Sequence, residues 1–409
     1  MGTDSPIGNV AAGLRTGRRC DSSAVALAVL LLTCVWSAHA QPTWPASGPT
    51  TRQAWLTQQD RDAQAEARRL TERGAKYLLS AQELEGGWAA QTGPGVSALV
   101  LKALIQEPTV GPQHPAVRRG IECVLKAQRE DGGVYSAEGL LKNYESSVVL
   151  SMLAAAKDPA HERQIAAVQK FLKDNQWDEG EGKSPDDPWY GGAGYGRGKR
   201  PDLSNTQMML EALRDSGWPK DDPGYQKALV FIQRCQMLGE TNDQPFARGA
   251  TEGGFIYRPV GGGESKAGDE AADGRSALRC YGSMTYAGFK SMLYAGLGRD
   301  DRRVRAALEW MRRHWTLQYN PNMPEAQSRE GLFYFYHVFG RALDAYGEPV
   351  IKDDTGREHA WRQELVEQLG KVQHPDGSWV NDADRWMEGL PALTTAYSLL
   401  ALQAAYPAE

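Results

Sequence analysis

The chain has 409 residues, of which 41% are hydrophobic and 24% charged, and its formal net charge is −5. This length allows one large globular domain, or two smaller ones, with a substantial core. The mild negative charge excludes the basic footprint of a nucleic-acid-binding protein, so no nucleic acid is expected as a partner. Twelve Trp and sixteen Tyr residues indicate an aromatic-rich interior or pocket.

The N-terminus has the pattern of a targeting segment. Three arginines precede the apolar run AVALAVLLLTCVW, and SAHAQ then offers a cleavage site after Ala40. We therefore predict a signal peptide over residues 1–40, a linker or N-terminal extension over 41–65, and export to the periplasm or the extracellular space. Cys34 leaves a lipoprotein as an alternative, and no stable transmembrane segment is predicted in the mature chain.

Three cysteines follow the predicted cleavage site: Cys123, Cys235 and Cys280. An odd number without C-x-x-C spacing argues against a disulfide framework and against a cysteine-built zinc site. Cys235 and Cys280 could form one disulfide, and buried free thiols are the alternative. We predict neither a metal nor a cofactor.

A helix, a glycine turn and an aromatic residue recur along the chain. The segment RGAKYLLSAQELEGGW at 73–88 predicts a helix that ends at Gly86 and Gly87, directly before Trp88. Five further copies follow, of which the last, ELVEQLGKVQHPDGSW, ends at Trp379. A second, more apolar helix-like stretch comes after each turn, as in SALVLKALI and TTAYSLLALQAA. The sequence therefore predicts six helix–turn–helix units.

The two helices of each unit differ in composition. The first is amphipathic and highly charged, which is typical of an outward-facing helix, and the second is rich in Ala, Ser and Thr, which is typical of a buried one. Such units cannot bury their apolar faces alone, so neighbouring units must stack. Six pairs can close into a ring, and we predict an all-α, α6/α6 toroid over residues 66–409 with a central cavity. An open solenoid is the alternative.

The glutamine and the aromatic residue that flank each glycine turn have a structural interpretation. Gln82 can hydrogen-bond backbone groups that the end of the first helix leaves unpaired. Trp88 can pack on that amide and cover the junction with the next unit. We therefore interpret the motif as a staple between repeats.

The segments RGAKYLLSAQELEGGW and EQLGKVQHPDGSW resemble the QW repeats of the squalene/terpene cyclase and protein prenyltransferase superfamily. The resemblance extends over nearly all of the mature chain, although the middle copies are degenerate. It implies an α6/α6 toroid, a central pocket lined by aromatic residues, and isoprenoid substrates. Because the motif lies in the scaffold, it says much less about the reaction than about the fold.

Loops after the glycine turns, with the first residues of the inner helices, are expected to line the mouth of the ring. The candidate catalytic residues there are Glu145, Asp202 and His337. The candidate ligand-binding residues are Tyr144, Tyr190, Asn205, Tyr281, Tyr286, Tyr334, Tyr336 and Thr395. A glycine-rich insertion at 253–274 is predicted to be flexible and to form a lid across the mouth.

Neither of the motifs that carry the family's chemistry is complete. Squalene cyclases use a D-x-D-D segment, which is absent, to protonate an alkene or epoxide, and this requires a buried, neutral and polarised carboxylic acid. Glu145 or Asp202 could take that role, although Asp202 also suits a helix N-cap. His337 resembles the tyrosine-flanked histidine of the prenyltransferases, but their D-x-C zinc segment has no counterpart.

Three functions remain open at this point. The first is binding of an isoprenoid or other long apolar ligand in the central pocket, followed by its acid-catalysed cyclisation or isomerisation. The second is a carbohydrate-active lyase or hydrolase with the same α6/α6 architecture. The third is a non-catalytic binding or scaffold protein. The expected partner is accordingly a small hydrophobic or glycan ligand, and the oligomeric state is left open.

Overall fold

The computed structural model describes residues 58–196, 198–272 and 275–407. These residues form twelve α-helices: α1 (Gln58–Ser80), α2 (Pro94–Ile105), α3 (Pro115–Leu125), α4 (Lys142–Ala156), α5 (Glu162–Asp174), α6 (Leu203–Asp215), α7 (Pro223–Arg234), α8 (Gly282–Tyr294), α9 (Arg302–Arg313), α10 (Leu332–Tyr346), α11 (Trp361–Val372) and α12 (Pro391–Ala405). Two short antiparallel hairpins complete the secondary structure: β1 (Asp269–Ala272) with β2 (Arg275–Leu278), and β3 (Ile351–Lys352) with β4 (Glu358–His359).

The helices form two concentric rings. Each even-numbered helix packs against the next even-numbered one, and α12 packs against α2, so the inner ring is closed. Each odd-numbered helix packs on the inner helix of the preceding repeat, and α1 packs on α12. This arrangement confirms the predicted α6/α6 toroid and excludes the open solenoid.

The burial of each ring follows from its composition. Every residue of the inner helix α2 is buried, as its apolar sequence PGVSALVLKALI requires. The outer helix α9 buries only one face, which includes Val304, Leu308 and Met311, and leaves its arginines toward solvent. Apolar residues at helical spacing on a charged helix have this effect because they lie on one side of the cylinder.

The six inner helices run in the same direction. Their first turns, with the loops before them, make one face of the toroid, which we call the N-terminal face. Their last turns make the opposite, C-terminal face. Because each helix carries partial positive charge at its start and partial negative charge at its end, the two faces have opposite electrostatic character.

In four of the six units, the glutamine before the glycine turn joins consecutive repeats. Gln82 Nε2 donates to the carbonyls of Gly86 in its own turn and Ala116 in the first turn of α3, both at 2.8 Å. Gln176, Gln236 and Gln373 make the same double contact in later repeats. The glutamine therefore joins repeats as predicted, but its partners are carbonyls of the turn and of the neighbouring outer helix.

The tryptophan has a more specific role than packing. Trp88 Nε1 donates to the carbonyl of Leu78 at 2.6 Å, and Trp379 Nε1 donates to that of Leu369 at 2.9 Å. Both carbonyls lie in the last turn of an outer helix, where no intrahelical donor remains. The sequence predicted the glutamine as the donor to this unpaired carbonyl. In the structure, the donor is the indole of the tryptophan.

A hydroxyl group on the inner helix holds the glycine turn of the same repeat. In five repeats it accepts a hydrogen bond from the backbone N–H of the residue after the glycine turn, and the residues are Ser97, Ser146, Thr206, Thr285 and Thr395. This pairing explains the Ser and Thr content of the inner helices. It also engages Thr395, a candidate ligand-binding residue, in a hydrogen bond with the turn of its own repeat.

Three further expectations can be compared with the structure. Helix α1 includes residues from Gln58 onward, which lie inside the predicted linker. The polar run QQDRDAQA consists of helix-forming residues, but the sequence predicts a linker there because the run has no apolar periodicity. The 253–274 insertion is anchored by buried residues such as Phe255 and Tyr257, and it contains β1. Cys123, Cys235 and Cys280 are free thiols, so the Cys235–Cys280 disulfide is not formed.

The predicted signal peptide at 1–40 lies outside the described residues. Among the helices of residues 58–407, none is both long and apolar enough to cross a membrane.

Candidate functional site

Four aromatic side chains meet at the ring axis on the N-terminal face, and we call them the tyrosine cluster: Tyr144, Tyr334, Tyr397 and His337. The hydroxyl groups of Tyr144 on α4 and Tyr397 on α12 lie 3.2 Å apart. The rings of Tyr334 and Tyr397 have centroids 6.0 Å apart, and the imidazole of His337 stacks on Tyr397 at 5.6 Å. The contact between Tyr144 and Tyr397 links α4 and α12, which are not neighbours in the ring, so side chains reach across its centre.

The inner helix α6 supplies the opposite wall of the cluster. The Ser204 and Tyr334 hydroxyl groups lie 3.2 Å apart, and Gln207 Nε2 donates to the Tyr334 hydroxyl at 3.0 Å. Because α6 and α10 lie on either side of α8, these bonds also span the ring. The tyrosine hydroxyl groups are thus engaged with protein partners.

Asp202 is a buried carboxyl group at the start of α6, with only 1% of its surface exposed. Its Oδ1 accepts from the Asn205 backbone N–H at 2.8 Å, and its Oδ2 accepts from Asn205 Nδ2 at 2.9 Å. Tyr257 and the Arg258 guanidinium also favour the ionised form and lower the pKa. The N-cap interpretation is confirmed. Burial nevertheless outweighs these donors and raises the pKa of Asp202 to about 6.

Several tyrosines lie around Asp202. Burial raises the pKa of each, and the negative charge of Asp202 adds to the effect; they are Tyr195, Tyr257, Tyr281 and Tyr334. Asn143 on α4 donates to Asn205 Oδ1 at 3.2 Å, so the network continues to the neighbouring inner helix. The structure therefore brings Asn205, Tyr281 and Tyr334 to the same region as Asp202.

Glu145 lies in the first turn of α4, between two repeats. Its Oε2 accepts from the backbone N–H of Ser136 at 2.9 Å and from the Ser136 hydroxyl at 3.3 Å. Its buried Oε1 has no hydrogen-bond partner in the described structure. It faces Gly93, where an added Cβ would collide with it. Burial is the main cause that raises the pKa of this carboxyl group.

Three other candidate tyrosines are not brought to the cluster. Tyr190 donates to Glu179 at 2.9 Å, beside Lys227 on the outer helix α7. Tyr286 packs against the rings of Phe335 and Phe339. Tyr336 donates to the Leu317 carbonyl and accepts from Gln368 on the outer helix α11. Tyr336 thus points outward although Tyr334 points inward, since two residues along a helix turn the side chain by about 200°.

A buried ion network, missed in the sequence, lies further along the inner helices. Glu211 accepts from Lys290 and from Arg341 Nε, the latter at 3.0 Å. Asp215 Oδ2 accepts from Lys102 Nζ at 2.9 Å, and Arg341 also reaches Asp215 at 3.2 Å. Lys290 is fully buried and Glu211 is 3% exposed.

The network contains three cations and two carboxylates. Its excess positive charge lies toward the C-terminal face, where the negative ends of six helix dipoles converge, and this favours cations. Burial, with help from Lys290 and other cations, lowers the pKa of His337 to about 3, so its imidazole is neutral. In the sequence, this network is marked by polar residues four positions apart, as in Gln207–Glu211–Asp215 and His337–Arg341. Residues with this spacing lie on one face of a helix, which here faces the ring axis.

The raised pKa of Asp202 predicts a specific pH dependence of stability. A carboxyl group with a raised folded-state pKa stabilises the fold below its unfolded pKa, and that contribution is lost as pH rises through about 6. Two pKa units correspond to about 3 kcal/mol. Between about pH 4 and pH 7.5, urea denaturation should show wild type losing about 3 kcal/mol relative to Asp202→Asn.

Asp301, the N-cap of α9, provides the matched control for this measurement. A hydrogen bond from Arg303 lowers the pKa of Asp301, so wild type should gain stability relative to Asp301→Asn as pH rises through the acidic range. The interpretation of Asp202 is wrong if both variants change in the same direction.

Within the described residues, no group of three or more His, Cys, Asp or Glu side chains is arranged to hold a metal ion.

The fold is similar to those of several solved structures. No family model and no curated protein sequence matches the chain. A protein from Actinoplanes is 18% identical over 84% of this chain and 99% of its own, with a TM-score of 0.50. The type II terpene cyclase MstE from Scytonema, in complex with merosterolic acid A, is 15% identical over 85% and 99%, with a TM-score of 0.53.

A polysaccharide lyase is also similar, with 12% identity over 84% of this chain and 97% of its own and a TM-score of 0.50. At these identities the likeness concerns the fold alone. The chain therefore has a helical toroid fold that is also found in a terpene cyclase and in a polysaccharide lyase.

Proposed function

We propose that the N-terminal face of the inner ring binds an isoprenoid or comparably long apolar ligand, and that Asp202 acts as the proton donor in its cyclisation or isomerisation. The proposal includes export of the protein, for which the sequence of residues 1–40 is the support. Glu145, another buried carboxyl group with a raised pKa on this face, and neutral His337 are assigned to the same site.

The observation that carries the proposal is the environment of Asp202. An acid that protonates an alkene must be buried, hold its proton near neutral pH and be polarised by donors. Asp202 is buried, burial raises its pKa to about 6 so that the acid form is populated in mildly acidic solution, and its carboxyl group accepts two hydrogen bonds from Asn205. Aromatic rings such as those of Tyr281 and Tyr334 can stabilise a developing cation through their π faces.

The chemical step transfers one proton and involves no oxidation. The proton moves from the Asp202 carboxyl group to one alkene carbon, where a C–H bond forms, and the adjacent carbon becomes cationic. Attack by another alkene of the ligand would close a ring. Loss of a proton from the final cation to the Asp202 carboxylate then restores a double bond and the acid.

Lyase chemistry on a glycan that uses a tyrosine or histidine base has less support from this geometry. Abstraction of a proton next to a uronate carboxyl group requires a base whose pKa lies near the working pH. Burial instead raises the pKa of Tyr144 to about 12 and lowers that of His337 to about 3. Both shifts leave the aromatic groups poorly suited to act as a base.

The proposal is tested by incubating the mature protein with farnesol and squalene and analysing products by mass spectrometry. We expect Asp202→Asn to lower turnover at least about 100-fold while ligand binding, measured by tryptophan fluorescence, is kept. Asp186→Asn, which changes an exposed carboxylate in a loop of the same repeat, is the control and should be as active as wild type. Binding without product in wild type would indicate a non-catalytic binding protein.

A further inference from the structure

The closed tyrosine cluster raises the question of how a ligand enters. Tyr144 and Tyr397 are hydrogen-bonded across the axis; Tyr397 is buried and Tyr144 is partly exposed. The segment 380–389 lies beside this cluster, between buried Trp379 and the first turn of α12. It packs on the first turn of α10, which carries Tyr334 into the cluster. We call it the 380–389 loop.

The backbone of this loop is strained at two consecutive residues. Trp386 has φ 56° and ψ 34°, and Met387 has φ 66°. Both angles lie in the left-handed region, which non-glycine residues rarely adopt because Cβ approaches the backbone carbonyl oxygen. Such conformations persist only where surrounding contacts enforce them, and they concentrate in ligand clamps and moving segments.

Glu388 supplies the strongest of the enforcing contacts. Its Oε1 accepts from the backbone N–H of Tyr334 at 2.7 Å, and its Oε2 accepts from that of Phe333 at 3.2 Å and from Asn381 Nδ2 at 2.7 Å. The side chain is 1% exposed. A loop residue therefore caps the N-terminus of α10, where the helix dipole favours a carboxylate.

Trp386 is presented to solvent by the same loop. One edge of its indole lies against Gly331, where an added Cβ would come within 3.0 Å of Cζ3. The Arg385 guanidinium lies 4.8 Å from the ring centroid, and 41% of Trp386 is exposed. The indole of Trp386 is thus partly exposed to solvent, directly beside the first turn of α10, which carries Tyr334.

We propose that the 380–389 loop is a lid over the tyrosine cluster, with Glu388 as its latch and Trp386 as the first apolar surface that a ligand meets. The role of the lid in ligand entry depends on the proposed function, whereas its opening and closing do not. Backbone strain favours opening, and the contacts of Glu388 with α10 favour closure. The two oppose each other within three consecutive residues, so a small change at the latch shifts the equilibrium.

Hydrogen–deuterium exchange of the mature protein, without ligand, tests the lid. Glu388→Ala should increase exchange of the amides of the loop and of Phe333 and Tyr334 about tenfold or more, while the amides of α5 stay unchanged. Asp384→Ala removes an exposed carboxylate from the same loop and should leave exchange as in wild type. Unchanged exchange in Glu388→Ala, or equal increases in both variants, would overturn the proposal.

A second variant covers the case in which Glu388→Ala does not fold. Glu388→Gln keeps one acceptor oxygen, and we expect loop exchange intermediate between wild type and Glu388→Ala; exchange at the wild-type rate would argue against a latch. Farnesol binding, followed by stopped-flow fluorescence, should be about tenfold faster in the variant with the open loop. A protein whose loop opens but that binds no isoprenoid would refute the proposed function and leave the lid standing.

Discussion

Replacing Glu211 by glutamine should lower the free energy of unfolding by about 3–5 kcal/mol, because it leaves Lys290 buried without its counter-charge. Lys290 is fully buried, and Glu211 is its hydrogen-bond acceptor. The substitution keeps the shape of the side chain, so the loss reflects charge and not a cavity. Urea denaturation at neutral pH measures it.

Two comparisons separate this effect from a general response to mutation. Lys290→Met in the Glu211→Gln background removes the stranded charge, and we expect it to recover part of the lost stability. Glu309→Gln breaks an exposed pair with Arg312 on α9 and should cost less than about 0.5 kcal/mol. Equal losses for Glu211→Gln and Glu309→Gln would contradict the role assigned to burial.

Trp379→Ala should destabilise the protein by about 3–5 kcal/mol, since it opens a cavity at the seam that closes the ring. Trp379 is fully buried, and its indole donates to the carbonyl of Leu369 at 2.9 Å. The ring also reaches α1, where a Cβ added to Gly74 would lie 2.9 Å from Cζ3. The last repeat is therefore joined to the first through this side chain.

Trp379→Phe separates the two contributions of the indole. It keeps an aromatic ring in the seam but loses the hydrogen bond to Leu369, so the smaller loss of about 1–3 kcal/mol is expected. Thermal or urea denaturation of both variants provides the comparison. A loss below about 1 kcal/mol for Trp379→Ala would show that the seam does not depend on this residue.

The structure brings candidate residues together where a position near the start of an inner helix also has the right helical phase. Tyr144, Tyr334 and His337 meet at the axis, and Asp202 lies beside them, as expected for the mouth of a ring. Helical phase decides the outcome on α10, where Tyr334 and His337 share the inward face. The sequence shows how residues are spaced on one helix, but it does not show which face turns toward the axis.

The latch and the ion network were missed for a different reason. Glu388 acts in a loop of the last repeat but caps a helix of the repeat before it. Lys290 and Glu211 lie on neighbouring inner helices, in different repeats. Neither pairing leaves a local pattern, because each partner alone has the appearance of an ordinary charged residue.

The sequence by itself determined the number of helical hairpins, their order and the joints between them. These features depend on contacts within one repeat or between consecutive ones, so a glutamine, a glycine turn and an aromatic residue are enough to mark them. Only the tertiary structure decided what occupies the centre of the ring. Tyr144 and Tyr397 are 253 residues apart in the chain, and they meet because closure of the inner ring brings their helices to the same axis.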